Sequence, residues 1–393
     1  MPNKEELFII NNIQLERNIA INRALLNNVF SLFIAINNKI PIFIVGKSGS
    51  SKSLSVQLIN KSMKGSLTNN ILFKNYPNII LNSYQGSITN TSEGVENLFK
   101  KARRVLKGLS LEYKNKTISM IIFDEIGLAE ISPNNPLKVI HSELEYDFKE
   151  GDEKVAFVGI SSLPLDVSLI NRGILLSIPE PNEDDIKITA CSIGESYKKI
   201  LDKKNSELYE NLGLIYYIYK KFIKIEHYYG GKEEFHGNID FYNFVKNVAS
   251  NMIKMDTKDI NRNIIDNISL SSIEKNFGGL QFKDGKMTIS IDKFKNIFSK
   301  FYENSQIRVK YDVLERIKEN INDLKSIYLL IISKSSVSLS LLESILSELN
   351  KEFIYLIGSQ FENDLQSEEY SLKILNKIQM HIKQGKLLIL KNI

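Results

Sequence analysis

Four consecutive apolar residues, Ile42-Phe43-Ile44-Val45, run into a loop of small and basic residues, Gly46-Lys47-Ser48-Gly49-Ser50-Ser51-Lys52-Ser53, and then into Leu54, Val56, Leu58 and Ile59. No other stretch limits the fold as tightly. An unbroken apolar run of this length suits a strand buried on both faces, as in a parallel sheet covered by helices. A glycine-containing turn from such a strand into a helix gathers backbone N–H groups and the positive end of the helix dipole around one point, which cradles phosphate. The first Gly, the Lys and the final Ser match the phosphate-loop (Walker A) pattern, with Ser51 standing where a glycine usually precedes the lysine. In that arrangement the loop from Gly46 through Leu54 surrounds the phosphates of ATP, Lys52 neutralises the β and γ oxygens, and the Ser53 hydroxyl coordinates Mg²⁺.

A second apolar strand, Met120-Ile121-Ile122-Phe123, ends in two carboxylates, Asp124 and Glu125. Asp124 is expected to hold Mg²⁺ through water, and Glu125 to orient and activate the water that attacks the γ-phosphorus (Walker B). A third run, Val155 to Ile160, leads into Ser161-Ser162, where either serine could serve as a polar sensor of the γ-phosphate. Arg172, just before a last apolar run, is placed to leave its own subunit and reach a neighbour's nucleotide as an arginine finger, or else to form a surface ion pair.

The remaining pattern gives the organisation. Apolar residues from Ile13 to Ile36 recur at helical spacing and predict one amphipathic helix ended by Pro41. Strands are expected at Ile42–Val45, Ile79–Leu81, Ile118–Phe123, Val155–Ile160 and Ile174–Ile178, with helices between them from Ser92 (the expected N-cap) to Lys107 and from Pro136 to Tyr146. Alternation of this kind specifies an α/β fold with a parallel sheet whose ligand lies at the carboxyl ends of the strands. After Pro179-Glu180-Pro181 the pattern turns helical, from Asp184 to Tyr229 and from Phe241 to Met255, which reads as a lid. Two further apolar strands, Phe353–Ile357 and Leu387–Leu390, come late, and the second is so close to Ile393 that the chain is expected to be part of something larger.

Composition closes off other classes. A net charge of +5 over 393 residues is mild, and the run Lys100-Lys101-Ala102-Arg103-Arg104 reads as a solvated helix face, so nucleic acid is not an expected partner. The lone Cys191 forms no intrachain disulfide and reads as a core residue in a cytoplasmic protein. His141, His227, His236 and His381 are scattered without cysteine partners, which leaves no zinc module. No signal peptide opens the chain, and the apolar run Ile327–Ile332 is too short to span a bilayer, so a soluble chain is expected.

Together, Gly46 to Leu54, Tyr84-Gln85-Gly86-Ser87 with Thr91-Ser92-Glu93-Gly94, and Asp124-Glu125-Ile126-Gly127-Leu128-Ala129-Glu130 resemble the mysterin family, giant dynein-like AAA+ proteins that also carry ubiquitin-ligase modules. The likeness continues through Ser132-Pro133, Pro136-Leu137-Lys138, Phe157 to Ser161, Asn171 to Ile174, Asp240-Phe241-Tyr242 and Asn276-Phe277-Gly278-Gly279. The family has serine at the position of Ser51. It commonly has Asn where Ser162 stands, at sensor 1, and Arg where Ile239 and Lys275 stand. The resemblance implies an AAA+ large domain over 1–185 with a five-stranded parallel sheet, a helical lid over 186–305, and linker helices with the start of a next AAA+ unit over 306–393. It also implies neighbouring AAA+ units and ubiquitin-pathway proteins as partners, while no ligase chemistry is carried by this chain.

Two functions fit these residues: an active ATPase unit of a mechanochemical assembly, and a scaffold that holds ATP structurally with little or no hydrolysis. A small-molecule kinase is disfavoured because the helical lid and Arg172 would have no role in it.

Overall fold

A computed structural model describes residues 4–16, 19–145, 153–197, 203–228, 236–254, 262–277, 296–297, 313–323, 326, 328–331, 333, 337–359, 361 and 368–391. The chain forms two compact units, Met1–Val309 and Lys310–Ile393. In the first, α1 (Lys4–Asn12) and α2 (Arg23–Asn37) precede β1 (Ile42–Val45), and α3 (Lys52–Ser62) leaves the loop after it. Next come α4 (Ile71–Lys74), β2 (Asn78–Gln85), α5 (Ser92–Lys107), α6 (Leu111–Asn115), β3 (Thr117–Asp124), α7 (Ile126–Glu130) and α8 (Leu137–Glu145). They are followed by β4 (Ala156–Ser161), α9 (Val167–Ile170) and β5 (Ile174–Ser177).

The five strands form one sheet, every pairing parallel, as expected from the sequence, and the structure gives their order as β2-β3-β4-β1-β5. Because β4 lies between β1 and β3, the ends of all three open on one edge, with Val45 level with Ser161 and Phe123 level with Gly159. Successive side chains on a strand face opposite sides. Ile42, Ile44, Met120, Ile122, Val158 and Ile160 join α1, α2 and α3 in one buried cluster, whereas Phe43, Ile121, Phe123 and Phe157 join α5 and α8 in another. Burial on both faces is why these strands read as unbroken apolar runs.

Local differences from the sequence expectation have physical causes. Of the stretch from Ile13 to Ile36 only α2 is helical among the described residues, because Asn22 Oδ1 accepts from the Leu25 N–H (2.9 Å) and starts that helix, while 13–16 and 19–22 connect it to α1. That helix ends before Pro41: Lys39 turns left-handed (φ 52°), its N–H reaching Ile36 O and the Ile40 N–H reaching Ala35 O in a Schellman closure. Strand β2 continues past Leu81 because buried Asn82 donates to Ser119 Oγ on β3 (3.1 Å) and so satisfies its polar group inside the sheet. Thr91, and not Ser92, caps α5, accepting from the Gly94 N–H (3.2 Å). Lys100 and Arg103 of the basic run are paired with Glu96 and Glu143.

Beyond β5, α10 (Glu183–Tyr197), α11 (Lys203–Tyr228), α12 (Asn238–Lys254) and α13 (Arg262–Phe277) share a third buried cluster, in which Tyr216 stacks on Phe241 with ring centroids 4.3 Å apart. Tyr146, Tyr229, Met255, Gly278, Gly279, Ile327 and Ile332 lie outside the described residues. In the second unit, α14 (Val313–Asn322) and α15 (Val337–Glu348) precede β6 (Phe353–Ile357), α16 (Glu368–Lys383) and β7 (Leu387–Lys391). Strands β6 and β7 pair in parallel, so α16 is the crossover of a βαβ unit.

Gly173 marks where the sheet tolerates no side chain. A Cβ there would lie 2.5 Å from Pro41 O, the atom that accepts the Ile174 N–H (2.8 Å) and starts the β1–β5 pairing. Gly173→Ala is expected to lower the unfolding free energy of the first unit by about 1–3 kcal/mol, read from its denaturant midpoint.

Candidate functional site

At the carboxyl edge of the sheet the loop after β1 closes tightly on itself. Gly49 (φ 83°) and Ser51 (φ 61°) are both left-handed, and α3 starts at Lys52. A serine in that conformation costs about 1 kcal/mol or more, a strain typical of functional loops. The buried Lys52 ammonium turns back and donates to Gly46 O, to Lys47 O (3.0 Å) and to Ser162 Oγ (3.4 Å). Burial pushes the ammonium below its ordinary pKa, against the pull of Glu125 and Asp124. Lys47 and Ser48 are exposed, Lys47 pairing with Glu180 (2.6 Å). Ser53 is exposed on the first turn of α3 and Leu54 is half-buried behind it.

The acids of β3 face this loop. Glu125 is itself left-handed (φ 50°), and its N–H donates to Asp124 Oδ1 (3.1 Å). Both of its carboxylate oxygens are occupied by Ser162: Oε1 accepts from Ser162 Oγ (2.8 Å) and Oε2 from the Ser162 N–H (3.3 Å). Ser162 therefore stands between Lys52 and Glu125, whereas Ser161 Oγ turns to Leu163 O (2.6 Å). Burial raises the Asp124 carboxyl above its ordinary value, and the charge of Glu125 adds to this. The hydrogen bond from the Glu125 N–H and the charge of Lys52 act the other way.

Arg172 is not brought to this cluster. Its guanidinium pairs with Glu145 (2.9 Å) and donates to Ser168 O, all on its own chain. Ile239 does face the loop, its Cγ1 lying 3.4 Å from where a Cβ on Gly49 would be. Cys191 is half-buried, and burial raises its thiol, as suits a core residue and not a nucleophile.

Three residues escaped functional reading of the sequence. Gly86 donates its N–H to Asp124 O (2.7 Å), and a Cβ on it would fall 2.0 Å from Glu125 O, so only glycine lets β2 brace the acidic turn. Asn28 of α2 and Tyr242 of α12 donate to the carbonyls of Ser50 (3.1 Å) and Gly49 (3.0 Å). Asn28 left a signal, being a polar residue on the apolar stripe of Leu25, Val29 and Leu32. Gly86 and Tyr242 left none beyond their presence in the family-like motifs.

Because Ser51 holds a conformation that glycine adopts freely, Ser51→Gly is expected to raise the unfolding free energy by about 0.5–1 kcal/mol, as a higher denaturant midpoint.

Comparison with known proteins places the chain. Residues 18–185 and residues 318–393 each match a model described as an RNF213 AAA domain. The E3 ubiquitin-protein ligase RNF213 of Mus musculus is 31% identical over 395 residues, covering 96% of this chain and 7% of the mouse protein. The Homo sapiens protein of that name is 30% identical over 407 residues, covering 99% of this chain and 7% of its own length. This chain thus spans 7% of these relatives. A solved structure of the Aeropyrum pernix ORC2 protein is 11% identical with a TM-score of 0.44, covering 67% of this chain and 71% of its own, too distant to carry an argument. With its phosphate-loop sheet of five parallel strands and these matches along nearly its whole length, the chain belongs to the RNF213 family of AAA domains, the mysterin family its motifs resemble.

Proposed function

We propose that the first unit binds ATP with Mg²⁺ at the loop from Gly46 to Leu54 and hydrolyses it, driving movement between its helical part, taken as a lid over 186–305, and neighbouring AAA+ units. The observation that carries this reading is that Lys52, Ser162 and Glu125, which are far apart in sequence, meet in one hydrogen-bonded line at the sheet edge. Lys52 exchanges its carbonyl partners for the β and γ oxygens, and the loop N–H groups hold the β-phosphate. Glu125 aligns a water and takes its proton as the water oxygen bonds to the γ-phosphorus and the bond to the bridging oxygen breaks, giving ADP and phosphate. To do so it gives up at least one of its bonds to Ser162, which then senses the γ-phosphate.

Magnesium suits the donors present. Among the described residues no group of three or more His, Cys, Asp and Glu side chains could hold a metal. The Ser53 hydroxyl and Asp124 are hard oxygen donors, and Mg²⁺ is usually held by one or two such groups together with waters and substrate phosphates. Bound there, the ion supplies charge neutralisation on the β and γ oxygens.

Arg172 is assigned to a neighbouring unit's nucleotide. To reach it Arg172, whose side chain is 21% exposed, leaves both the 59% exposed Glu145 and Ser168 O. The relatives are named E3 ubiquitin-protein ligases, and the chain is assigned the ATP-driven part of a cytoplasmic protein of that class, with the ligase chemistry outside it. Among the described residues no helix is long and apolar enough to cross a membrane. A second reading, a scaffold that holds ATP without turnover, is favoured by the apolar Ile239 beside Gly49 and by the Arg172–Glu145 pair.

Lys52→Ala is expected to lose Mg·ATP binding in calorimetry, while Glu125→Gln binds ATP and releases phosphate at least about a hundredfold more slowly. Equal affinity in wild type and Lys52→Ala contradicts the proposal, and an unchanged rate in Glu125→Gln supports the scaffold instead. Gly86→Ala, which displaces the Glu125 backbone, should slow phosphate release about tenfold or more with affinity nearly kept.

A further inference from the structure

The phosphate loop is gripped from outside at two adjacent carbonyls. The Tyr242 hydroxyl on α12 donates to Gly49 O (3.0 Å), and Asn28 Nδ2 on α2 donates to Ser50 O (3.1 Å). These carbonyls belong to consecutive peptide groups, Gly49–Ser50 and Ser50–Ser51. In a planar trans peptide the C=O and N–H point in opposite directions, so holding each carbonyl from one side turns the next residue's N–H to the other. Among the described residues the Ser50 and Ser51 N–H groups donate to no backbone carbonyl, and the buried Ser50 hydroxyl has no hydrogen-bond partner. The loop thus keeps a set of donors unspent.

Both grips are built into packed elements. Asn28 is fully buried in α2 among Leu25, Val29 and Leu32. Tyr242 follows Phe241, which stacks on Tyr216, and the Tyr216 hydroxyl donates to Asn238 Oδ1 (3.1 Å) at the start of α12. Asn238 in turn abuts the loop, its Cβ 3.0 Å from where a Cβ on Gly49 would stand. Burial pushes the Tyr242 hydroxyl up to about 12, so it stays a donor throughout the physiological range.

We propose that Asn28 and Tyr242 are positioning residues that preset the Ser50 and Ser51 N–H groups for phosphate, and that Tyr242 makes the helical cluster of α10 to α13 respond to phosphate in the loop. The inference rests on the nucleotide-binding reading above. Preorganised donors bind an anion without first paying for their own ordering, and a hydroxyl shared between helix and loop carries the ordering of one to the other.

The test uses the full chain as wild type, Tyr242→Phe and Asn28→Leu, titrated by calorimetry with Mg·ATP and with inorganic pyrophosphate. Hydrogen exchange over residues 238–254 and the melting temperature without ligand are read in parallel. Each variant is expected to bind both ligands about three- to tenfold more weakly, the size of one net hydrogen bond. Nucleotide should slow exchange in α12 of the wild type but not of Tyr242→Phe, whose ligand-free melting temperature stays close to wild type. Should Asn28→Leu fail to fold, Tyr242→Phe decides alone. Wild-type affinity together with wild-type α12 protection in Tyr242→Phe overturns the inference and leaves the nucleotide-binding reading standing. A wild-type chain that binds neither ligand overturns both.

Discussion

The hydroxyl of Ser162 joins the cation of the phosphate loop to the acid at the end of β3, and the rest of the site depends on the sheet that puts it there. Its position is set by strand order. With β4 between β1 and β3, the three strands deliver Lys52, Ser162 and Glu125 to one edge, and a different order would separate them. The order is in turn held by two-sided burial: aliphatic side chains meet α1 to α3 on one face, and Phe43, Phe123 and Phe157 meet α5 and α8 on the other. Each strand thus contributes both core and chemistry, the core along its length and the chemistry just past its end.

The site also stores backbone strain. Ser51 and Glu125 hold left-handed conformations that side chains resist, one beside the lysine and the other at the acidic turn. Surrounding contacts enforce both. The loop is pinned by Asn28 and Tyr242, and the turn by Gly86, whose missing side chain lets two backbones touch. Lys52 and Glu125 are both engaged by protein atoms, so under the proposed function each exchanges partners to act.

Much of this was legible in the sequence, for a reason that also marks its limit. The strands β1, β3 and β4 are buried on both faces and therefore read as apolar runs, and the chemistry follows each run directly, at Gly46, Asp124 and Ser161-Ser162. Where burial involves polar groups the pattern failed. Asn82 carries β2 beyond Leu81 by pairing with Ser119, and Asn22 caps α2 at Arg23 so that the helix starts later than the apolar spacing from Ile13 implies. The contacts of Gly86, Asn28 and Tyr242 are long-range, and no local spacing announces them. Arg172 could be read from the sequence only as finger or ion pair, and on its own chain it is paired with Glu145.

The most direct measurement is an experimental structure of the chain with Mg²⁺ and a non-hydrolysable ATP analogue. The account requires the β-phosphate among the N–H groups of residues 49–53, Lys52 Nζ moved from the Gly46 and Lys47 carbonyls to phosphate oxygens, and Glu125 within reach of a water facing the γ-phosphorus. A triphosphate bound elsewhere, or a Lys52 that keeps both carbonyls with nucleotide present, would contradict it.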